Sequence, residues 1–157
     1  MAYNSFTAQA ETKLDNKCRI VIPAFYREGL GEEFRISLGF DKCLYIMETK
    51  VFNNISRQIS KLPLNSSAKL ARRFNAFSFS AKTDKQGRVV LPPQLRKALG
   101  FEIGETIVLA GMGPYIEVWG EEAFSEAVAL SAEESDILMS YMNFDDEESD
   151  TSGSDEL

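Results

Sequence analysis

The sequence predicts an α+β fold in which two copies of one β-rich unit complete a common barrel or sandwich, with helices at its periphery. Three observations carry that prediction. Residues 13–31, KLDNKCRIVIPAFYREGLG, recur as 82–100, KTDKQGRVVLPPQLRKALG, at a fixed offset of 69 residues. Each copy alternates short β-branched runs with turn-forming residues and one short helix pattern. A single copy has too few strands to close a sheet or bury both of its faces, so the two must cover each other.

The copies share Lys13/Lys82, Asp15/Asp84, Arg19/Arg88, Val21/Val90, Pro23/Pro92, Arg27/Arg96, Leu30/Leu99 and Gly31/Gly100. In the second, Asp-Lys-Gln-Gly reads as a turn opening a β-hairpin, with Gly87 at positive φ and Arg88-Val-Val-Leu91 as its strand. Pro92 ends the strand and opens a helical turn, where its missing N–H is harmless, and Gly100 stands where a helix ends. Segments 105–109 and 115–119 read as a second pair of strands. The predicted organisation is a first unit over 9–51, a helical linker over 52–79, a second unit over 80–123, C-terminal helices over 124–144 and an acidic disordered tail over 145–157. In and beside the linker, Val51, Phe52, Ile55, Ile59 and Leu62 share one helical face ended by Pro63. A second amphipathic run covers 66–77. Ser131-Ala-Glu-Glu134 fits a capping box opening the last helix.

The formal net charge of −7 is unevenly placed. Residues 131–157 hold ten acidic residues and no lysine or arginine, leaving 14 acidic against 17 basic residues before them. The body is therefore mildly basic, and the acidic tail is either a solubilising segment or an arm that competes with an anionic ligand. The absence of histidine excludes Ser-His-Asp and Cys-His nucleophile systems. No Gly-rich phosphate loop, metal-ligand spacing, secretory signal or membrane-length apolar run is present, so no cofactor, no metal, no membrane partner and no enzymatic activity are expected. Two cysteines at no metal spacing fit a reducing, cytoplasmic compartment.

The duplicated D-x-x-[GC]-R-[IV]-V-[IL]-P-x-x-[YL]-R string resembles the AbrB-type (SpoVT-AbrB) swapped-hairpin DNA-binding unit. Two such units in tandem resemble the MraZ family of bacterial transcription regulators, over residues 5 to 144. The resemblance implies duplicated AbrB-like swapped-hairpin units forming a pseudo-symmetric β-barrel with peripheral helices in each protomer, and protomers assembling into a homo-oligomeric ring. It also implies double-stranded DNA as partner, bound at short direct repeats upstream of the chain's own cell-wall and division operon, in a nucleoid-associated protein. The family signature D-x-x-x-R maps onto Asp15–Arg19 and Asp84–Arg88, and the DNA-facing role falls on Arg19 and Arg88.

From the residues alone, Arg19 and Arg88 either project from a ribbon toward phosphates and guanine edges, or pair with Asp15 and Asp84 to stabilise the turns; both can hold at once. Lys13, Lys17, Lys82 and Lys85 read as phosphate contacts or as a solvated face. Arg27 and Arg96 suit a structural role, and Lys69, Arg72 and Arg73 a solvated helix face. Phe25, Tyr26, Phe74, Phe77, Tyr115 and Trp119 read as core, and Cys43 as an apolar strand residue. Cys18 stands where the second copy has Gly87, so either its turn is strained or Asn16 takes the left-handed position. Two other functions are open on these residues. One is an antitoxin-like protein binding a toxin; the other is an enzyme using Asp15 and Asp84, although turn roles explain both carboxylates.

Overall fold

The computed structural model describes residues 5–145. The tail expected at 145–157 lies, beyond its first residue, outside the described residues. The described chain divides into two compact units, one through Ser125 and one from Glu126 onward.

The elements follow the repeat. The first series is β1 (Gln9–Lys13), β2 (Arg19–Val21), α1 (Ala24–Leu30), β3 (Phe34–Leu38), β4 (Leu44–Glu48) and α2 (Thr49–Ser60), followed by α3 (Leu64–Phe74). The second is β5 (Ser78–Ala81), β6 (Arg88–Val90), α4 (Pro93–Leu99), β7 (Thr106–Gly111), β8 (Ile116–Gly120) and α5 (Glu121–Val128), followed by α6 (Ala132–Met139). Pro23 and Pro92 stand in extended conformation before α1 and α4, so the strand stops where the helix begins. Their carbonyls accept the first helical bonds, from Tyr26 and Arg27 and from Leu95 and Arg96, at 3.0–3.1 Å. Gly100 closes α4 in the left-handed conformation at φ 69°, which costs glycine little. The capping box at α6 is present, with Ser131 Oγ accepting from the Glu134 amide at 3.1 Å.

The second expected hairpin of each copy is present, β3 with β4 and β7 with β8, but the first is not. Six strands form one antiparallel sheet in the order β1-β7-β8-β4-β3-β5, and β2 and β6 pair only with each other. The turns after β1 and β5 therefore join strands of different sheets. β1 lies on β7 and β5 lies on β3, so the first strand of each series pairs with a strand of the other. β1 and β5 are opposite edges, and the ladder of strand pairs does not close into the expected barrel. The reason is local: β2 and β6 leave the sheet to pair across the repeat, in the register Arg19↔Val90, Ile20↔Val89 and Val21↔Arg88.

The sheet is covered on both faces. On one face, Ile36, Leu44, Ile46, Ile107, Leu109, Ile116 and Val118 belong to a core shared with Ile20, Ile22, Val89 and Leu91 from the ribbon and Tyr26 and Leu95 from α1 and α4. On the other, Cys43, Tyr45, Met47, Val108 and Trp119 share a core with Val51, Phe52 and Ile59 of α2 and Phe74 of α3. The Phe52 and Phe74 rings stack at 4.8 Å, and the Arg35 guanidinium lies 4.5 Å over Phe52. Burial on both faces explains why β4 reads as a continuous apolar run rather than an alternating one.

Three side chains differ from expectation. Phe25 is 54% exposed rather than core, and Leu62 lies beyond the end of α2 and is exposed. Arg73 anchors the β3–β4 loop, donating to the carbonyls of Gly39 and Asp41, instead of lining a solvated face. Among the described residues no helix is long and apolar enough to cross a membrane.

Ser37 on β3 is buried with no partner for its Oγ among the described residues. Ser37→Ala should raise unfolding free energy by about 1 kcal/mol, because it removes an unsatisfied hydroxyl. Ile20→Ala, at the fully buried centre of the ribbon, should cost about 2–5 kcal/mol. Urea titration of the two variants beside the parent checks both signs.

Candidate nucleic-acid interface

Two turns, one in each series, are built alike. In the first, Asp15 Oδ1 accepts the amides of Lys17 at 2.9 Å and Arg19 at 2.8 Å, and Oδ2 accepts Arg19 Nε at 2.7 Å. In the second, Asp84 Oδ1 accepts the amides of Gln86 and Arg88, both at 2.9 Å, and Oδ2 accepts Arg88 Nε at 2.8 Å. The Asp15 and Asp84 amides donate to the Arg19 and Arg88 carbonyls at 3.0 and 2.9 Å, closing each loop. A short carboxylate can fold back on its own backbone in this way, which is why aspartate suits the position.

Each carboxylate does two things. It caps the turn, and it holds the guanidinium by Nε. The terminal amines of Arg19 and Arg88 make no hydrogen bond among the described residues. Burial pushes the Asp15 carboxyl upward, but the Arg19 and Lys17 bonds outweigh it and hold the group below the usual aspartate value. For Asp84 the Arg88 amide bond is the largest influence, and with the guanidinium it also holds the group low.

The turns require a left-handed residue just before the arginine. Gly87 takes φ 79° and Cys18 takes φ 59°, whereas Asn16 does not adopt positive φ, which decides between the two alternatives for the first turn. A Cβ on Gly87 would lie 3.0 Å from Arg27 Cζ and 3.1 Å from the Ile22 carbonyl oxygen. Arg27 thus packs across the repeat onto the other copy's turn, with its Nε buried and unpartnered among the described residues. Arg96 instead donates Nε to the Phe101 carbonyl at 3.1 Å. Both are structural.

The ribbon has an inner and an outer face. Ile20 and Val89 point into the core, so strand alternation puts Arg19, Val21, Arg88 and Val90 on the opposite face. The arginines occupy one diagonal and the valines the other. Val21 and Val90 are 46% and 56% exposed, and the Val21 amide donates to Thr12 Oγ1 at 3.0 Å, tying the ribbon to β1. Two residues of alternation in R-I-V and R-V-V were the only sequence signal for these valines. Lys17 and Lys85 are exposed in the turns, which lie at opposite ends of the antiparallel ribbon. They are not equivalent by the repeat: Lys17 corresponds to Gln86, and Asn16 to Lys85. Lys13 ends β1 and Lys82 follows β5, both exposed at the two edges of the large sheet. The structure therefore puts Arg19 and Arg88 on one face of the ribbon, with Lys17 and Lys85 in the turns at its two ends and Lys13 and Lys82 at opposite edges of the large sheet. Among the described residues no group of three acidic, cysteine or histidine side chains could hold a metal.

Cys18→Gly should raise stability by about 1 kcal/mol by relieving the left-handed strain, while Gly87→Ala should lower it by about 1–2 kcal/mol. Chemical denaturation reads both. The acid response follows from the carboxylates. Because Asp15 and Asp84 are held below their ordinary value of 3.8 when folded, their stabilisation is complete above 3.8 and is lost as pH falls through the lower folded values. The Asp15→Asn, Asp84→Asn double variant should therefore show a flatter acid limb in its thermal midpoint against pH.

With this geometry in place, the chain's relatives can be compared. The family model described as "MraZ protein, putative antitoxin-like" matches residues 5–77 and again 78–140, the same duplication seen in the strands. Among curated proteins, Transcriptional regulator MraZ of Symbiobacterium thermophilum is 38% identical over 72% of this chain and 82% of its own. The protein of that name from Leuconostoc mesenteroides is 35% identical over 89% of this chain and 99% of its own. The one from Clostridium tetani is 38% identical over 77% and 85%. A solution structure of a Pyrococcus horikoshii protein aligns over 70% of this chain and 94% of its own with 22% identity and a TM-score of 0.34, too slight a likeness to inform the fold. The two-fold match across the body and the identity to these relatives place the chain in the MraZ family.

Proposed function

We propose that the chain is a sequence-specific, non-enzymatic transcription regulator that binds double-stranded DNA through the β2–β6 ribbon. One observation carries the reading: on the outer face of a two-stranded ribbon, two part-buried arginines are held at Nε by aspartates while their terminal amines make no hydrogen bond among the described residues. A two-stranded ribbon fits the major groove, and a guanidinium is the commonest reader of guanine O6 and N7. Arg19 and Arg88 are the base or phosphate contacts, Asp15 and Asp84 are positioning residues, and Lys13, Lys17, Lys82 and Lys85 neutralise flanking phosphates.

One ribbon contacts few phosphates, so tight binding needs several copies acting together. The chain offers apolar surface for that: Leu130, Ile137, Leu138, Met139, Tyr141, Met142 and Phe144 are all exposed. A homo-oligomeric ring fits binding at promoter direct repeats upstream of the chain's own cell-wall and division operon, in a cytoplasmic, nucleoid-associated protein. Side-chain packing of the ribbon against the sheet would make each protomer a pseudo-symmetric barrel although its ladder is open. The antitoxin-like wording of the matched family favours a second reading, binding of a small toxin. It would displace the first if the product of a neighbouring gene bound this chain and DNA did not.

The test is a gel shift on the DNA upstream of the chain's own coding sequence, over a range of salt. If all four lysines of each engaged protomer neutralise phosphates, the slope of log K against log salt should steepen by about 3.6 per protomer, and by about 1.8 if only two of them reach the backbone. Arg19→Ala and Arg88→Ala should each weaken binding, and the pair together more than either. A salt-insensitive affinity, or arginine variants that bind like the parent, would overturn the reading.

A further inference from the structure

We infer that Val21 and Val90 are specificity-determining residues that read thymine, through contact with its C5-methyl group in the major groove. The inference rests on the ribbon being the DNA-binding surface. Both valines lie on the outer face, 46% and 56% exposed, while their strand neighbours Ile20 and Val89 supply the core contacts. Their side chains thus leave much apolar surface in water, on the ribbon that also carries Arg19 and Arg88. Strand propensity alone does not require this, since threonine also favours strands and leaves less apolar surface in water.

The register decides what the valines can meet. Arg19 faces Val90 and Val21 faces Arg88, so each valine stands opposite an arginine in the ribbon register, while the guanidiniums are held at the turns by Asp15 and Asp84. A surface that seats those guanidiniums against a duplex turns the shorter valine side chains, on the same outer face, toward the same groove. Phosphates offer them nothing. At the floor of the major groove the thymine methyl is the apolar group available, beside the acceptors that suit arginine. The valines lie on a diagonal about 7–8 Å long, typical of such pairs. That matches about two base-pair steps of about 3.4 Å each. The arrangement therefore favours thymines about two steps apart, with guanines beside them.

The experiment uses the full chain and its own upstream DNA, amplified either with thymidine or with deoxyuridine triphosphate, which removes only the C5-methyl groups. The wild-type protein should bind the uracil duplex about fourfold more weakly per methyl contacted, or about 15-fold for two, the worth of burying one or two methyl groups. Val21→Ala with Val90→Ala should lower affinity for the thymine duplex and lose the discrimination between the two. The wild-type comparison needs no variant and stands even if the double variant folds poorly. Equal wild-type affinity for both duplexes, with Arg19→Ala and Arg88→Ala still impaired, overturns the inference while leaving the ribbon as the DNA surface. Discrimination that persists unchanged in a folded double variant overturns it as well, because the methyl is then read elsewhere. Arginine variants that bind like the parent would instead remove the reading on which it rests.

Discussion

Everything at the candidate interface depends on one pairing, the antiparallel contact of β2 with β6 across the repeat. Ile20 opposite Val89 is its centre, and the bonds from Ile22 to Gly87 and from Leu91 to Cys18, both 2.8 Å, extend it at either end. Three-residue strands would not hold alone in water. They hold because Ile20, Ile22, Val89 and Leu91 are almost wholly buried against the large sheet. Burial of one face fixes the register, since a slip of one residue would turn the isoleucine outward and the arginine inward. The core thus decides which side chains the outer face presents.

The aspartate turns solve the next problem, which is to place a long, flexible cation. A surface ion pair contributes little to stability by itself. Here the same carboxylate also accepts two backbone amides, so the guanidinium is tied to a loop whose conformation is already set. Arginine suits this task because it can give Nε to the aspartate and keep its two terminal amines. Lysine, a single point of charge, could not do both.

Much of this was legible in the chain. The repeat located both turns, the prolines located the strand-to-helix switches, and the D-x-x-x-R spacing located the ion pairs. The strand partners were not legible, because a turn signal such as Asp-Lys-Gln-Gly reports local chain reversal and not which strand the following residues join. A tight turn followed by a β-branched run reads as a hairpin until long-range burial is known. The mistaken burial of Phe25 had a better clue available. Its counterpart in the repeat is Gln94, a polar residue, and an aligned polar residue marks a position that faces water. Cys18 shows the converse case: the backbone demand identified by Gly87 holds in the first copy although the residue there is poorly suited to it.

The departures from symmetry carry the last step. A ribbon with perfect two-fold symmetry presents the same groups in both directions along a duplex and so suits a palindrome. Direct repeats, the proposed target, have a direction, and a protomer that read them would need to be asymmetric. The arginines and valines of the outer face are paired by the repeat and cannot supply that direction. The turns at the two ends of the ribbon can. Lys17 stands against Gln86 and Asn16 against Lys85, so the positive charge sits one residue earlier in the second turn than in the first. Thr12, whose hydroxyl ties the Val21 amide to β1, stands against Ala81, which has no hydroxyl to offer. Duplication within one chain permits this divergence, whereas a dimer of identical single units would forbid it. If the ribbon binds DNA as proposed, direction along the duplex is set by the flanking turns, while the shared centre of the ribbon contacts the bases.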